Sequence, residues 1–255
     1  MNLWKQYLRQ TWWISLGYLV ILEGALVAAI LYWPRFRDNI PAIAKLVPFD
    51  AIQDLLGAME HAGYWPYLAI QQWFKGCSLF GVGAIAFVAS GIIAREADQR
   101  TAEFLFSRPI SRRRVLIARH SMVCLLVLLP VVLSSISAIW LSHWIGEFVP
   151  WASILWSTTY MCIFLWCLIC FTTLVSSIAQ HQLTAGASVV GLALISFALY
   201  LVQGLDQLSL FKLIDIHTFM SIHDGDVPWV KGGAIAGAAL LMLIAADQLL
   251  ARRSF

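Results

Sequence analysis

What this sequence has least of is charge. Asp, Glu, Lys and Arg make up 12% of its 255 residues, about half the share of an ordinary soluble domain, which is too little to dress a water-facing surface. The apolar runs also lack the every-second-residue alternation of an outer-membrane barrel. No G-x-x-x-x-G-K-[ST] loop stands ready to cradle a nucleotide's phosphates, there is no HExxH, and no Ser/His/Asp set comes with supporting motifs. Nothing in the chain can power work by itself, so neither a catalytic residue nor a cofactor or metal site is expected in it. The five cysteines (Cys77, Cys124, Cys162, Cys167, Cys170) all lie inside apolar runs. There they serve as small, soft apolar residues; Cys167-x-x-Cys170 has a redox spacing but lies where no accessible thiolate is expected.

What is abundant is apolar sequence, 60% of the chain, with 12 Trp. Six runs reach the roughly 20 residues that a helix needs to cross a hydrocarbon core of about 30 Å: Trp12–Trp33, Phe74–Ala94, Ser121–Trp144, Trp151–Ile178, Leu183–Val202 and Val230–Ala251. In lipid each backbone group must find its partner within the segment, so the runs are read as helices. The fold class is an all-α polytopic membrane protein, one domain over residues 1–255, with six transmembrane helices. The first run is too long, and lacks the small-residue cleavage site, for a cleavable signal peptide.

Between the runs lie a few polar stretches. Residues Met1–Thr11 place Leu3, Trp4, Tyr7 and Leu8 at helical spacing, as a short interfacial helix would. In the segment 34–73, Phe49, Ile52, Leu55, Leu56 and Met59 share one helical face opposite Asp50, Gln53, Asp54 and Glu60, which predicts an external amphipathic helix broken by Gly63 and Pro66. The segment 203–229 holds Asp206, Lys212, Asp215, His217, His223, Asp224 and Asp226 at no recognised metal spacing and reads as a solvated loop. His181 reads as a polar turn residue.

Inside the runs, Glu23 lies near the middle of the first. A carboxyl group at that depth must face a bundle interior, a cavity or a partner, so Glu23 is the candidate translocation-pathway residue, against a packing role through a hydrogen bond between helices. Pro130 should kink the third run, with the hydroxyls of Ser134, Ser135 and Ser137 close enough to satisfy freed backbone groups. Gly81-x-Gly83 and Gly233-x-x-x-Gly237 suggest close helix packing.

Seven of the 17 Lys and Arg residues fall in one block, 95–119: Arg95, Arg100, Arg108, Arg112, Arg113, Arg114 and Arg119. With both termini on the same side as this block, that side holds eleven basic residues and the other side six (Arg35, Arg37, Lys45, Lys75, Lys212, Lys231). The positive-inside rule then makes the block and both termini cytoplasmic, and it gathers Trp33, Trp65, Trp73, Trp140, Trp144, Trp151, Trp156 and Trp229 as an outer aromatic belt. Glu96, Asp98 and Glu103 alternate with the arginines, so the block is more than a lipid-binding run. Asp98 or Thr101 can cap a short helix reaching Phe106, ended by Pro109. Phe104, Leu105 and Phe106 would give it an apolar face for a partner's groove. Ser111 is placed to cap the third span.

The run from Glu96 to Arg114 resembles the segment after the second span of type-2 ATP-binding-cassette (ABC) permeases. Thr101, Glu103, Leu105, Pro109, Ser111 and Arg112 match that family's pattern, while Arg100 stands where Gly is usual. The resemblance implies the membrane-spanning subunit of an ATP-driven exporter in the cell membrane of a bacterium. Two permease chains, identical or different, would dock two cytoplasmic ATPase subunits that hold ATP and Mg, with Glu96, Thr101, Glu103, Phe104, Leu105, Pro109, Ser111 and Arg112 as coupling residues. No nucleic acid is implied as a partner. The other readings are a membrane-embedded enzyme built around Glu23 and the external His/Asp residues, or a non-transporting anchor or sensor that recruits the ATPase.

Overall fold

The computed structural model describes residues 3–44, 50–99, 111–202 and 204–253. Its helices are α1 (Leu3–Ala44), α2 (Asp50–Ala62), α3 (Tyr64–Gly91), α4 (Ala94–Asp98), α5 (Arg112–Trp144), α6 (Trp151–Ile178), α7 (Gln182–Leu201), α8 (Ile216–His223) and α9 (Trp229–Arg252). Six of them, α1, α3, α5, α6, α7 and α9, are long and apolar enough to cross a membrane. The all-helical, six-span reading of the sequence holds.

α3 is the helix around which the others assemble. It touches α1, α5, α6 and α7, while α1 packs along α5 and α9 along α6. Small residues allow these approaches. A Cβ at Gly81 would meet Leu165 Cδ2 at 2.9 Å and one at Gly186 would meet the Ala86 carbonyl oxygen, also at 2.9 Å. Gly83, Gly233 and Gly237 have open space instead, so the pairing role expected of them is not made within this chain.

Two boundaries differ from the sequence reading. α1 does not stop at Trp33 but continues through Pro34 and Pro41 to Ala44 as part of one 42-residue helix that also takes in the N-terminal stretch. Proline's fixed φ is helical; its cost is one missing N–H bond, which is tolerable where the helix leaves the apolar layer. α3 begins at Tyr64 rather than Phe74, and Tyr64–Ile70 are all buried. Gln71, Gln72 and Lys75 made this stretch look external; the packing shows a membrane helix with polar residues in its middle. Gly63, at φ 73°, makes the turn from α2 into α3, a conformation that glycine adopts without strain. Pro66 lies in the first turn, where its missing N–H costs nothing.

The tryptophans expected to form an outer belt divide accordingly. Trp140, Trp144, Trp151 and Trp229 are exposed, whereas Trp33, Trp65 and Trp73 are core residues. Residues 204–228 are not a solvated loop. Asp215 accepts from Thr218 N at 3.1 Å and caps α8, whose Ile216, Phe219 and Ile222 are buried together with Phe211 and Ile214.

α3 also departs from α-geometry. Its residues Ile70–Phe80 form a π-helix, followed by Gly81–Val88 in α and Ala89–Gly91 in a 3₁₀ turn. A Cβ at Gly76 would lie 2.7 Å from the Gln71 carbonyl oxygen five residues earlier. The wide turn therefore needs glycine there. π-segments are rare and gather at functional sites.

Candidate functional site

Two groups of polar residues stand out, one at the arginine-rich end of the bundle and one in its middle layer. The first frames the segment 100–110. On the entry side, α3 ends and α4 begins around Ser176 of α6. Its hydroxyl accepts from Ile93 N at 3.1 Å and Ala94 N at 3.0 Å and donates to Ser90 O at 2.8 Å. One side chain thus serves the carbonyl left by one helix and the N–H groups opening the next. Arg119 of α5 donates to Ile92 O at 2.7 Å and to Glu96 Oε1 at 2.6 Å. Its side chain is 12% exposed and that of Glu96 20%, so this ion pair is shielded from water and worth more than a surface pair. His181 Nδ1, in the turn before α7, lies 2.8 Å from Asp98 Oδ1; that hydrogen bond holds the Asp98 carboxyl below its ordinary value.

On the exit side, Ser111 Oγ accepts from Arg114 N at 3.3 Å and caps α5, as the sequence suggested. Arg112 donates to Leu250 O at 3.1 Å and also to Arg253 O. Arg253 in turn donates to Ser177 O and Ala179 O, both at 2.9 Å. Each guanidinium closes the carbonyl end of a helix, α9 by Arg112 and α6 by Arg253, where cations are favoured. Arg113 reaches Asp247 at 3.6 Å on the surface. The entry leg is therefore tied to α5, α6 and α7, and the exit leg to α9 and through it to α6.

Among the sequence-predicted residues, Glu96, Ser111 and Arg112 are thus brought to one end of the bundle. Thr101, Glu103, Phe104, Leu105 and Pro109, with the short helix expected to reach Phe106, lie outside the described residues. The clamps Ser176 and Arg253 had no sequence signal, since each works through backbone carbonyls or N–H groups far away in the chain, and nothing in the sequence set Arg119 apart from the other arginines of its block.

The middle layer is the second group. Ser137 Oγ of α5 lies 2.8 Å from both carboxyl oxygens of Glu23, which is half-buried on α1. Gln72 of α3, almost fully buried, donates to Ser134 Oγ at 2.7 Å and Ser135 Oγ at 3.3 Å. Pro130 leaves the Leu126 carbonyl without its usual partner, and Ser15 Oγ of α1 donates to it at 2.7 Å. The hydroxyl that repairs the break comes from a neighbouring helix, not from Ser134, Ser135 or Ser137. Gln71 and Lys75 stand on the exposed side of α3, with Lys75 Nζ 3.3 Å from Gln71 Oε1. The layer is level across helices, because Gly76 lies against Leu22 and Tyr18 donates from α1 to the Cys77 carbonyl of α3. Sequence reading counted Lys75 on the outer side, at the very start of the second run; the earlier start of α3 sets it twelve residues into a helix long and apolar enough to cross a membrane.

A third polar contact, around His120, joins α5 to α6. His120 Nδ1 lies 3.0 Å from Thr173 Oγ1 and its Nε2 3.5 Å from Cys124 Sγ. Thr173 donates to Ile169 O, so His120 donates from Nδ1. Among the described residues no group of three or more His, Cys, Asp or Glu is arranged to hold a metal ion.

The described structure thus combines six apolar helices with a polar frame at one end, on either side of an arginine-rich segment. A search of curated proteins returned no match to the sequence. A family model described as "ABC-2 family transporter protein" matches residues 4–222, from the start of α1 into α8, and by that match the chain belongs to the ABC-2 family of transporter proteins.

Proposed function

We propose that this chain is the permease subunit of an ATP-driven exporter in the cell membrane of a bacterium. Its arginine-rich end and both termini face the cytoplasm. A separate ATPase subunit, which holds ATP and Mg, docks on the segment 95–119, and a second permease, identical or paralogous, completes the pathway. The observation that carries this reading is the clamping of both legs of the docking segment. Glu96 is bound by Arg119, and Arg112 is bound into the end of α9. A push on the segment between them is delivered to α5, α6, α7 and α9 together, which is what biasing a two-state bundle requires. Thr101, Glu103, Phe104, Leu105 and Pro109 supply the surface that the ATPase grips. Glu23 contacts the transported molecule.

The test is a pull-down of the tagged, folded chain in mild detergent, with mass spectrometry of what accompanies it. A stoichiometric cytoplasmic ATPase is expected, and Glu103→Lys or Phe104→Ala should lower its recovery or its substrate-stimulated hydrolysis while membrane insertion survives. Absence of any ATPase from an intact sample would overturn the reading.

A further inference from the structure

The middle layer holds a cation in an unusual place. Lys75 is the twelfth residue of α3 (Tyr64–Gly91), about 16 Å below its external end at 1.5 Å per residue. That end is fixed by Tyr64, whose hydroxyl lies 2.7 Å from Ser142 Oγ near the end of α5. Lys75 is nevertheless exposed, and its one described polar contact is the neutral Gln71 of its own helix. The side chains exposed beyond it at helical spacing are Leu79 and Phe87, with open space at Gly83 between them. Ionised groups inside a membrane face a bundle interior or a water-filled cavity, and snorkelling to the interface is open only to those near helix ends. A lysine midway along the helix, on a four-carbon stem, cannot reach the headgroups. Glu23 lies at the same level, but it points to Ser137 on α5.

We infer that this face of α3 lines a water-filled cavity and that Lys75, with Gln71 beside it, binds an anionic head, a carboxylate or phosphate monoester, carried on a hydrocarbon body that lies along Leu79, Gly83 and Phe87. Charge complementarity selects the occupant: a neutral or cationic amphiphile gains nothing from the ammonium. The assignment rests on the permease reading, since a transport pathway supplies both the water and the ligand. The π-turn of Ile70–Phe80 is the local device that presents Gln71 and Lys75 outward while Gln72 points in to Ser134.

The test uses the full chain in native membranes. Lys75→Cys should react with a charged, membrane-impermeant thiol reagent at least about tenfold faster than Val20→Cys, which is exposed on α1 near the same level. Photoactivatable dodecyl phosphate should label α3 at least about tenfold more than its dodecanol and dodecylamine analogues, the factor expected of one charge-assisted hydrogen bond. Lys75→Gln should abolish that preference and Lys75→Arg should keep it. A Lys75→Cys thiol no more reactive than Val20→Cys would overturn the cavity. Equal labelling by the three probes, or a preference unchanged in Lys75→Gln, would leave only lipid contact and overturn the ligand assignment. Neither readout needs ATP or a bound ATPase, so a failed pull-down and a failed anion site are separate results.

Discussion

The two ends of this bundle are held by different physics. At the end away from the arginine-rich segment the contacts are broad and aromatic. Trp33 packs on Tyr64 and Tyr67, Trp73 stacks on Phe219, and Trp65 stacks on His223, with ring centroids 4.6–5.4 Å apart. At the arginine-rich end the contacts are directional: among the described residues, five guanidinium-to-carbonyl contacts and the shielded Arg119–Glu96 pair carry the joints between α3, α4, α5, α6 and α9. Buried aromatic area is lost only by separating helices. A fork of hydrogen bonds to a helix end can be released and remade as a unit. One end is thus suited to act as a hinge and the other as a clutch, and the clutch lies on the side of the arginine-rich segment.

That contrast can be broken by substitution. The largest effect is expected from Trp73→Ala, which empties a fully buried site where the aromatic contacts run from Trp65 down to the middle layer. It should cost about 3–5 kcal/mol, read as lower thermal stability in detergent, with recovery of the ATPase unchanged when the protein is kept folded in the cold. Arg119→Ala should come next, at about 1–3 kcal/mol, because it takes a charged hydrogen-bond donor from Glu96 and from the Ile92 carbonyl in a shielded place. A double-mutant cycle with Glu96→Gln should be clearly non-additive; additive losses would mean that the pair is not coupled. Arg253→Lys keeps the charge but removes the fork by which Nη1 and Nη2 hold Ser177 O and Ala179 O. It should cost only about 1 kcal/mol while uncoupling substrate from ATP hydrolysis, and a variant that stays coupled would show that this end does not transmit.

The smallest effect concerns Lys212, which joins Asp206 at 3.0 Å and Asp215 at 3.4 Å in the segment between α7 and α9. Burial pulls its pKa down, but the hydrogen bonds and charges of the two carboxylates outweigh burial and raise it above the ordinary value. A raised lysine stabilises the fold fully below its unfolded value, near 10.4, and ceases to do so as the pH climbs through the folded value. Lys212→Met should therefore lower thermal stability slightly at neutral pH, and the gap from the parent protein should close in strong alkali.

Much of this architecture was written locally in the chain. Unbroken apolar runs announced six helices, Ser111 announced a cap, and the spacing from Phe49 to Met59 announced an amphipathic helix, found at Asp50–Ala62. What escaped was set by tertiary context. Gln71, Gln72 and Lys75 lowered the hydropathy of the first half of α3 enough to place it outside, although Gln72 is satisfied by serines 62 and 63 residues away. Trp65 and Trp73 looked like belt residues because tryptophan favours interfaces, and the fold buries them. Arg253 reads as a polar tail and is in fact the cap of a helix that ended at Ile178. A carbonyl as partner leaves no trace in side-chain spacing.

α1 has a consequence of scale. Its 42 residues rise about 63 Å, roughly twice the hydrocarbon thickness of a bilayer. Such a rod must lean or protrude, and the thickness of the surrounding lipid sets how far. Thinner or thicker host membranes should therefore change its lean and, through Tyr18 and Tyr67, which bind α1 to α3, the angle between those two helices. Lipid length becomes a dial on the same bundle whose far end the arginine-rich segment joins.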